Sequence, residues 1–527
     1  MRFRGAVVVV TAMSLMVGPA PARASNDRAT AAPGSAVPGV PGPTLPDLNS
    51  ATPLDGGTAV EPRTPTRQVP ETGNSRLDAA QVDDEPLTFT FKATAYGINL
   101  VPRNKYPYAR TTPVELVDTG VKDATGVRMH KIGNTLYNHP VAQAQYGIAN
   151  LESYIISQDQ RYLDRARLQA QRLIDTADKI GSAWYLPYPF DFYLHGYQTD
   201  RRAAPWYSAM AQGQAITLFV RLFEVTGDEA YRNAADGLFA SFLRPRGTSN
   251  PWVVWVDSQQ HLWLEEFPGQ APDRTLNGHM FATFGMWDYW RLNQDDRAKK
   301  LYQGGLTTVV DYMSVYRNEK WISQYCLSHP TVLSTKYHLI HIAELFDQFA
   351  ITRNVTFVRL AEQLSGDYPP PTVSGPVRFA AGTHEGVVFT SAGTVSSRKK
   401  LTLSRASSAP ADRRERIKGQ PGYWYRITAG YLAGHYVQEK WAISTLQGRS
   451  VTYQYYPARR VTMAANATFT GFVFNDNGSV ASQQSVTTTA VTPFGAIASA
   501  IWNGREYLLA ETGPLAGRWI YRAVLTV

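Results

Sequence analysis

Apolar residues in the middle of the chain recur at helical spacing, in a plan that repeats. LESYIISQDQRYLDRARLQAQRLI from Leu151, LFVRLFEVTGDEAYRNAADGLFASFL from Leu218, MWDYWRLNQDDRAKKLYQGGLTTVV from Met286 and ELFDQFAITRNVTFVRLAEQL from Glu344 follow it. Each ends an apolar helix, turns through Asp, Gly or Asn, and resumes with a second apolar stripe. The turns lie roughly 60 to 70 residues apart, the length of two helices and two connections. Four such hairpins predict an α/α toroid over residues 136–368. Within it, PWYSAMAQGQAI from Pro205 keeps Ala209, Ala215, Ile216, Phe219, Val220 and Phe223 at helical spacing. Pro205 and Ser208 suit a helix start and Gly227 its end. Tyr207, Gln212, Gly213 and Gln214 put polar groups into the opening turns, predicting a wet mouth with Tyr207 and Gln212 at its rim.

Between the hairpins, residues 184–196, 261–269 and 321–338 are crowded with aromatics, and loops on a rigid scaffold are where sites are built. After Tyr368 the run PPPTVSGP, 369–376, marks a boundary, and apolar residues begin to alternate between Gly-rich turns. VRFAAGTHEGVVFTSAGTV from Val377 matches VTMAANATFTGFVFNDNGSV from Val461, which predicts two tandem β repeats, 377–460 and 461–527. The fold class is therefore multidomain α plus β, a helical toroid followed by an all-β region that suits binding to a polysaccharide or cell wall. The basic run Arg413, Arg414, Arg416 and Lys418 reads as a solvated loop. Toward the N-terminus, LTFTF at 87–91 alternates like a strand in a β-containing segment, 87–135, and residues 25–86 have the Pro, Gly and Ala content of a disordered tether.

Composition narrows the partners. The chain has 527 residues, a formal net charge of +9, 18% charged residues and 12% aromatics, a balance that favours sugar-stacking surfaces and attracts polyanions. A basic start, an apolar run from Gly5 to Val17 and the small residues Ala22 and Ala24 read as a signal peptide over 1–24. Secretion disfavours nucleic acid and leaves an acidic polysaccharide as the expected partner. No stretch is long and apolar enough to span a membrane. Cys326 is the only cysteine, which excludes intrachain disulfides and zinc sites built from several thiolates. His338, His341 and Glu344 form H-x-x-H-x-x-E without the HExxH pattern of metallohydrolases. His338 is accordingly expected to hydrogen-bond substrate, and no metal site is predicted.

PWYSAMAQGQAI, WLEEFP from Trp263, LNG from Leu276 and KYHLIHIAEL from Lys336 closely resemble the D-glucuronyl C5-epimerase family, which converts glucuronic to iduronic residues within heparan-type polysaccharides such as heparosan. The resemblance covers roughly residues 136–368. It implies a cofactor-independent isomerase that removes the C5 hydrogen of a uronate and returns a proton from the opposite face, which requires two flanking acid/base groups and a neutralised substrate carboxylate. By resemblance Glu266 is one base, Tyr337 its partner on the opposite face, and Tyr325 a supporting hydroxyl or alternative acid; Tyr207, Gln212, Arg274, Asn277 and His338 bind substrate. Two residues depart from the family. Phe267 stands where a tyrosine follows the glutamates, and Tyr325 to His329 reads YCLSH in place of Tyr-Asp-Leu-Arg-His, so an arginine suited to clamping a carboxylate is missing. Arg201, Arg202, Arg274 or Lys336 could replace it. A uronate lyase using the same carbanion and a non-catalytic acidic-glycan-binding protein are the alternatives, and a structural calcium ion and a homodimer both stay open.

Overall fold

The computed structural model describes residues 85–527 apart from 374, 441–444, 447, 448, 476, 477 and 503. The expected signal peptide and nearly all of the expected tether lie outside the described residues. Those residues contain eight α-helices: α1 Pro140–Ser157, α2 Gln160–Thr176, α3 Ala209–Thr226, α4 Glu229–Phe242, α5 Leu276–Asn293, α6 Asp296–Tyr316, α7 Thr335–Thr352 and α8 Val355–Asp367. They form four hairpins with one turn chemistry. Gln158, Gly227, Gln294 and Arg353 adopt left-handed backbone and stop the first helix. The next residue, Asp159, Asp228, Asp295 or Asn354, starts the second by accepting the N–H of Arg161, Ala230, Arg297 or Thr356 at 2.7–3.0 Å.

The described residues divide into two compact units, 85–312 with 325–332, and 313–324 with 333–527. In the first, α3 packs between α1 and α5 and every residue from Ala209 to Leu222 is buried. The contact is close because the residues are small. A Cβ on Gly213 would lie 2.7 Å from the Ala282 Cα, and one on Gly285 would lie 2.4 Å from the Gly213 carbonyl oxygen. Buried Arg221 of α3 reaches Glu152 of α1 at 2.8 Å and Asp288 of α5 at 2.9 Å. Glu152, Arg221 and Asp288 each stand 12 residues after the first residue of their helix (152−140, 221−209, 288−276), so the three helices run parallel and in step. Their N-termini therefore gather at one end of the unit, where the long connections 177–208 and 243–275 also lie.

The second unit contains α7, α8 and two antiparallel sheets. From one edge, the seven-stranded sheet runs Val395–Leu403, Gly382–Phe389, Tyr436–Gln438, Trp424–Ile427, Ser407–Glu415, Pro376–Phe379 and Thr445–Leu446. The six-stranded sheet runs Val480–Thr488, Ala467–Phe474, Trp519–Tyr521, Arg505–Ala510, Thr492–Trp502 and Arg449–Met463, so six strands pair off one to one.

Three local expectations are corrected. Residues 87–91 are extended with alternating burial but join no strand; Phe89 and Phe91 pack in the first unit, and Lys92 N–H donates to the Gln260 carbonyl. Arg413 and Arg414 belong to strand Ser407–Glu415, and Arg414 is buried against Glu439 at 2.8 Å, because a charge on an inward strand position needs a partner. The opening of α3 is not wet. Gln212 and Gln214 are fully buried.

Candidate active site

The polypeptide that carries the adjacent glutamates is held from both sides. After strand Leu262–Leu264, Glu265 N–H donates to the Val253 carbonyl, and the Glu265 carbonyl accepts from Ala209 N–H at the start of α3. The Glu265 side chain is used up by the backbone. Its Oε1 accepts from Asp273 N–H and Arg274 N–H at 3.2 Å and from Phe267 N–H at 3.4 Å, closing the loop that leads into α5. Burial, with Asp273 nearby, lifts this carboxyl to about 7.

Glu266 is buried to a similar degree, yet its Oε2 makes no hydrogen bond within the protein. Burial pushes its carboxyl well above the usual carboxylate range, the charges of Asp273 and Glu265 add to this, and only a hydrogen bond with Tyr325 opposes it. Burial thus favours the protonated form of this carboxyl. Room for it is made by Gly278 in the first turn of α5, where a Cβ would come within 2.1 Å of Oε2. Asn277, beside that glycine, is buried with Oδ1 also unbonded. Tyr325 is held by its own carbonyl, which accepts from Leu276 N–H at 3.0 Å.

Two groups were not anticipated, Tyr188 near Glu266 and His139 behind Tyr188. Burial, then the Glu266 charge, raises the Tyr188 phenol well above its usual range, and Tyr188 stacks on Trp206 at 3.8 Å. His139, at the N-terminus of α1, lies edge-on to Tyr188 at 4.8 Å with its Nδ1 unbonded, and burial lowers it to about 3. Tyr188 stands between two prolines and His139 between Asn138 and Pro140, so neither carries a local signal of a site.

The other expected site residues fare differently. Gln212 is a structural tie: its Oε1 accepts from Leu186 N–H at 2.9 Å and its Nε2 donates to Trp184 carbonyl at 2.7 Å and Ser241 Oγ at 2.9 Å, leaving nothing for a substrate. The Tyr207 hydroxyl donates to Asp178 at 2.8 Å. His338 is also corrected: its Nδ1 faces Ser323 N–H and Oγ, its Nε2 faces the Leu364 and Tyr368 carbonyls, and it is fully buried. Arg274 has left-handed backbone and a half-buried side chain whose cation lies 5.9 Å from the Trp263 ring. Arg201 pairs with Asp191, and Arg202 donates to the Phe267 carbonyl. Tyr337, half-buried in the first turn of α7 with Lys336 5.6 Å from its ring, belongs to the second unit. Phe267 is buried and stacks on Phe192 at 5.6 Å.

A helical-hairpin scaffold with a buried glutamate, its acidity weakened by burial, beside the tyrosines Tyr188 and Tyr325 is a candidate acid/base site. Residues 184–365, about a third of the chain, match the family described as D-glucuronyl C5-epimerase C-terminus. An uncharacterised protein of Methanocaldococcus jannaschii is 25% identical over 181 residues, 32% of this chain and 56% of that protein. The D-glucuronyl C5-epimerase of Caenorhabditis elegans is 26% identical over 155 residues, 26% of this chain and 24% of that enzyme. The chain thus spans about half or less of these relatives' lengths. Among solved structures, a cellobiose 2-epimerase from Bacillus thermoamylovorans is similar at 11% identity and TM-score 0.34, over 55% of this chain and 72% of that one. An unsaturated glucuronyl hydrolase from Streptococcus agalactiae is similar at 12% identity and TM-score 0.32, over 56% and 66%.

Proposed function

We propose that the protein is a carbohydrate epimerase that inverts C5 of uronic acid residues within an acidic polysaccharide outside the cell, without an organic cofactor. The observation that carries this reading is Glu266, a buried carboxyl with an unspent oxygen beside the Tyr325 phenol, inside the segment that matches the epimerase family. In the reaction the C5–H bond breaks, a base takes the proton, and the electron pair delocalises into the uronate carboxyl group. A second group then delivers a proton to the opposite face of C5. Because burial favours the protonated form of Glu266, we assign it the delivering step, with the Tyr325 hydroxyl beside it. Tyr337 is carried as the group that removes the first proton on the family resemblance alone. Asn277 and Arg274 are the groups we assign to the substrate carboxylate.

The test is to incubate wild-type protein with uronate polymers, heparosan among them, in deuterated water. Deuterium at C5 with unchanged chain length is expected. Chain shortening with an ultraviolet-absorbing unsaturated uronate would make the protein a lyase. Polymer binding without exchange would make it a glycan-binding protein.

A further inference from the structure

Apart from the glutamates, the same unit brings four metal-binding side chains together from three loops. His195 lies in the single turn Leu194–Gly196, Asp273 precedes α5, and Cys326 and His329 follow α6. The loops are locked to each other by backbone pairing. Thr275 bridges to Cys326, and Ser328 N–H donates to the Asp273 carbonyl at 3.3 Å while its hydroxyl donates to the Pro272 carbonyl at 3.0 Å.

The donor atoms face one another. Cys326 Sγ is 3.4 Å from His195 Nε2 and 3.6 Å from His329 Nδ1, which is 3.2 Å from Asp273 Oδ1; one atom from each residue fits within a 4.8 Å cluster. Zinc bonds of about 2.0 Å to nitrogen and oxygen and about 2.3 Å to sulfur give tetrahedral edges of about 3.3–3.6 Å. The three measured edges fall close to that range. The surrounding groups fit too. Asp200 Oδ2 lies 2.7 Å from His329 Nε2, so it fixes the ring and turns the Nδ1 lone pair toward the cluster, as carboxylates do behind metal-bound histidines. Thr275 donates to Asp273 Oδ2 at 2.7 Å and leaves Oδ1 for the cluster. In that tautomer Nδ1 and Oδ1 are two acceptors in contact, an arrangement that a cation between them resolves.

We propose that His195 Nε2, Asp273 Oδ1, Cys326 Sγ and His329 Nδ1 form a four-ligand Zn2+ site. Binding converts the Cys326 thiol to thiolate and releases its proton to solvent. Two imidazoles, one thiolate and one carboxylate are a borderline donor set that suits zinc. With four protein ligands the ion is structural: it staples the loop that carries Tyr325, the residue before Cys326, and so positions the phenol beside Glu266. This inference is independent of the epimerase reading.

The full chain, purified from metal-depleted medium, is titrated with Zn2+ and separately with Co2+ as a spectroscopic probe. One zinc per chain and a near-ultraviolet thiolate-to-cobalt band are expected, and because Cys326 is the only cysteine the band can arise nowhere else. Cys326→Ser removes the band, and both it and His195→Asn weaken zinc binding by about 100-fold. His195 is half-buried in a left-handed turn that Asn tolerates, so this second variant keeps the test intact where Cys326→Ser fails to fold. Three results would overturn the proposal: no zinc retained, zinc held equally by both variants (an adventitious ion only), or preferential binding of copper with a strong visible thiolate band. With no zinc retained, the cluster would be an imidazolium held between Asp200 and Asp273.

Discussion

The opening turns of α3 and the segment from Glu265 to Gly278 both bury polar side chains, yet Gln212 in the first and Glu266 in the second do opposite things. Gln212 at the start of α3 is fully buried with three hydrogen bonds, and buried Ser208 beside it accepts from Ala211 N–H as the helix cap. Glu266 is buried as well, but keeps one oxygen without a partner, as does Asn277. A buried polar group whose bonds are complete holds the fold; one left incomplete is costly to stability and is retained where chemistry uses it. The contrast recurs in miniature between the neighbours Glu265, used up by three backbone amides, and Glu266.

The largest expected effect is on the incomplete side. Glu266→Gln should lower C5 exchange by about 100- to 10,000-fold, with a melting temperature unchanged or raised because a buried ionisable group is gone. A loss of folding there, with exchange per folded molecule intact, would move Glu266 to the structural side. On the complete side, Gly285→Ala should destabilise by about 3 kcal/mol in denaturant titration, since its Cβ meets the Gly213 backbone and not a side chain that can move. Gln212→Leu should cost about 2 kcal/mol by leaving Leu186 N–H and the Trp184 carbonyl unpaired in the interior.

Acidity separates the two glutamates further. The folded Glu265 carboxyl titrates at about 7, above its unfolded value, so the native state binds more protons and stability falls as pH rises through that interval. At ~1.4 kcal/mol per unit the loss reaches at most about 3 kcal/mol, and it is complete once the pH has passed the folded value. Glu265→Gln should flatten that slope in unfolding curves measured across this range; an unchanged slope would contradict the assignment.

Much of the scaffold was legible because each hairpin turn is written locally: a residue that ends one helix in left-handed backbone, then Asp or Asn to cap the next. Ser208 and Gly227 bound α3 as their chemistry dictates. Glu266 and Tyr325 came from motif resemblance, and the structure places the two side chains beside each other. Gln212 and His338 were misjudged because a sequence shows polarity but not how many hydrogen bonds a side chain has already made. The alternation at 87–91 was real, but a strand also needs a neighbour, which no local pattern supplies. The four residues of the metal cluster were invisible for a related reason: only Cys326 and His329 are near in sequence, and His195 and Asp273 arrive through loop pairing.

Everything about the site depends on the state of one carboxyl. Infrared difference spectroscopy of wild type minus Glu266→Gln at neutral pH reads it directly. The account predicts a carbonyl stretching band of a protonated carboxylic acid, lost in the variant and persisting to a pH well above the ordinary carboxylate range. A pair of carboxylate bands in its place would show Glu266 ionised, and would contradict its role as the proton donor.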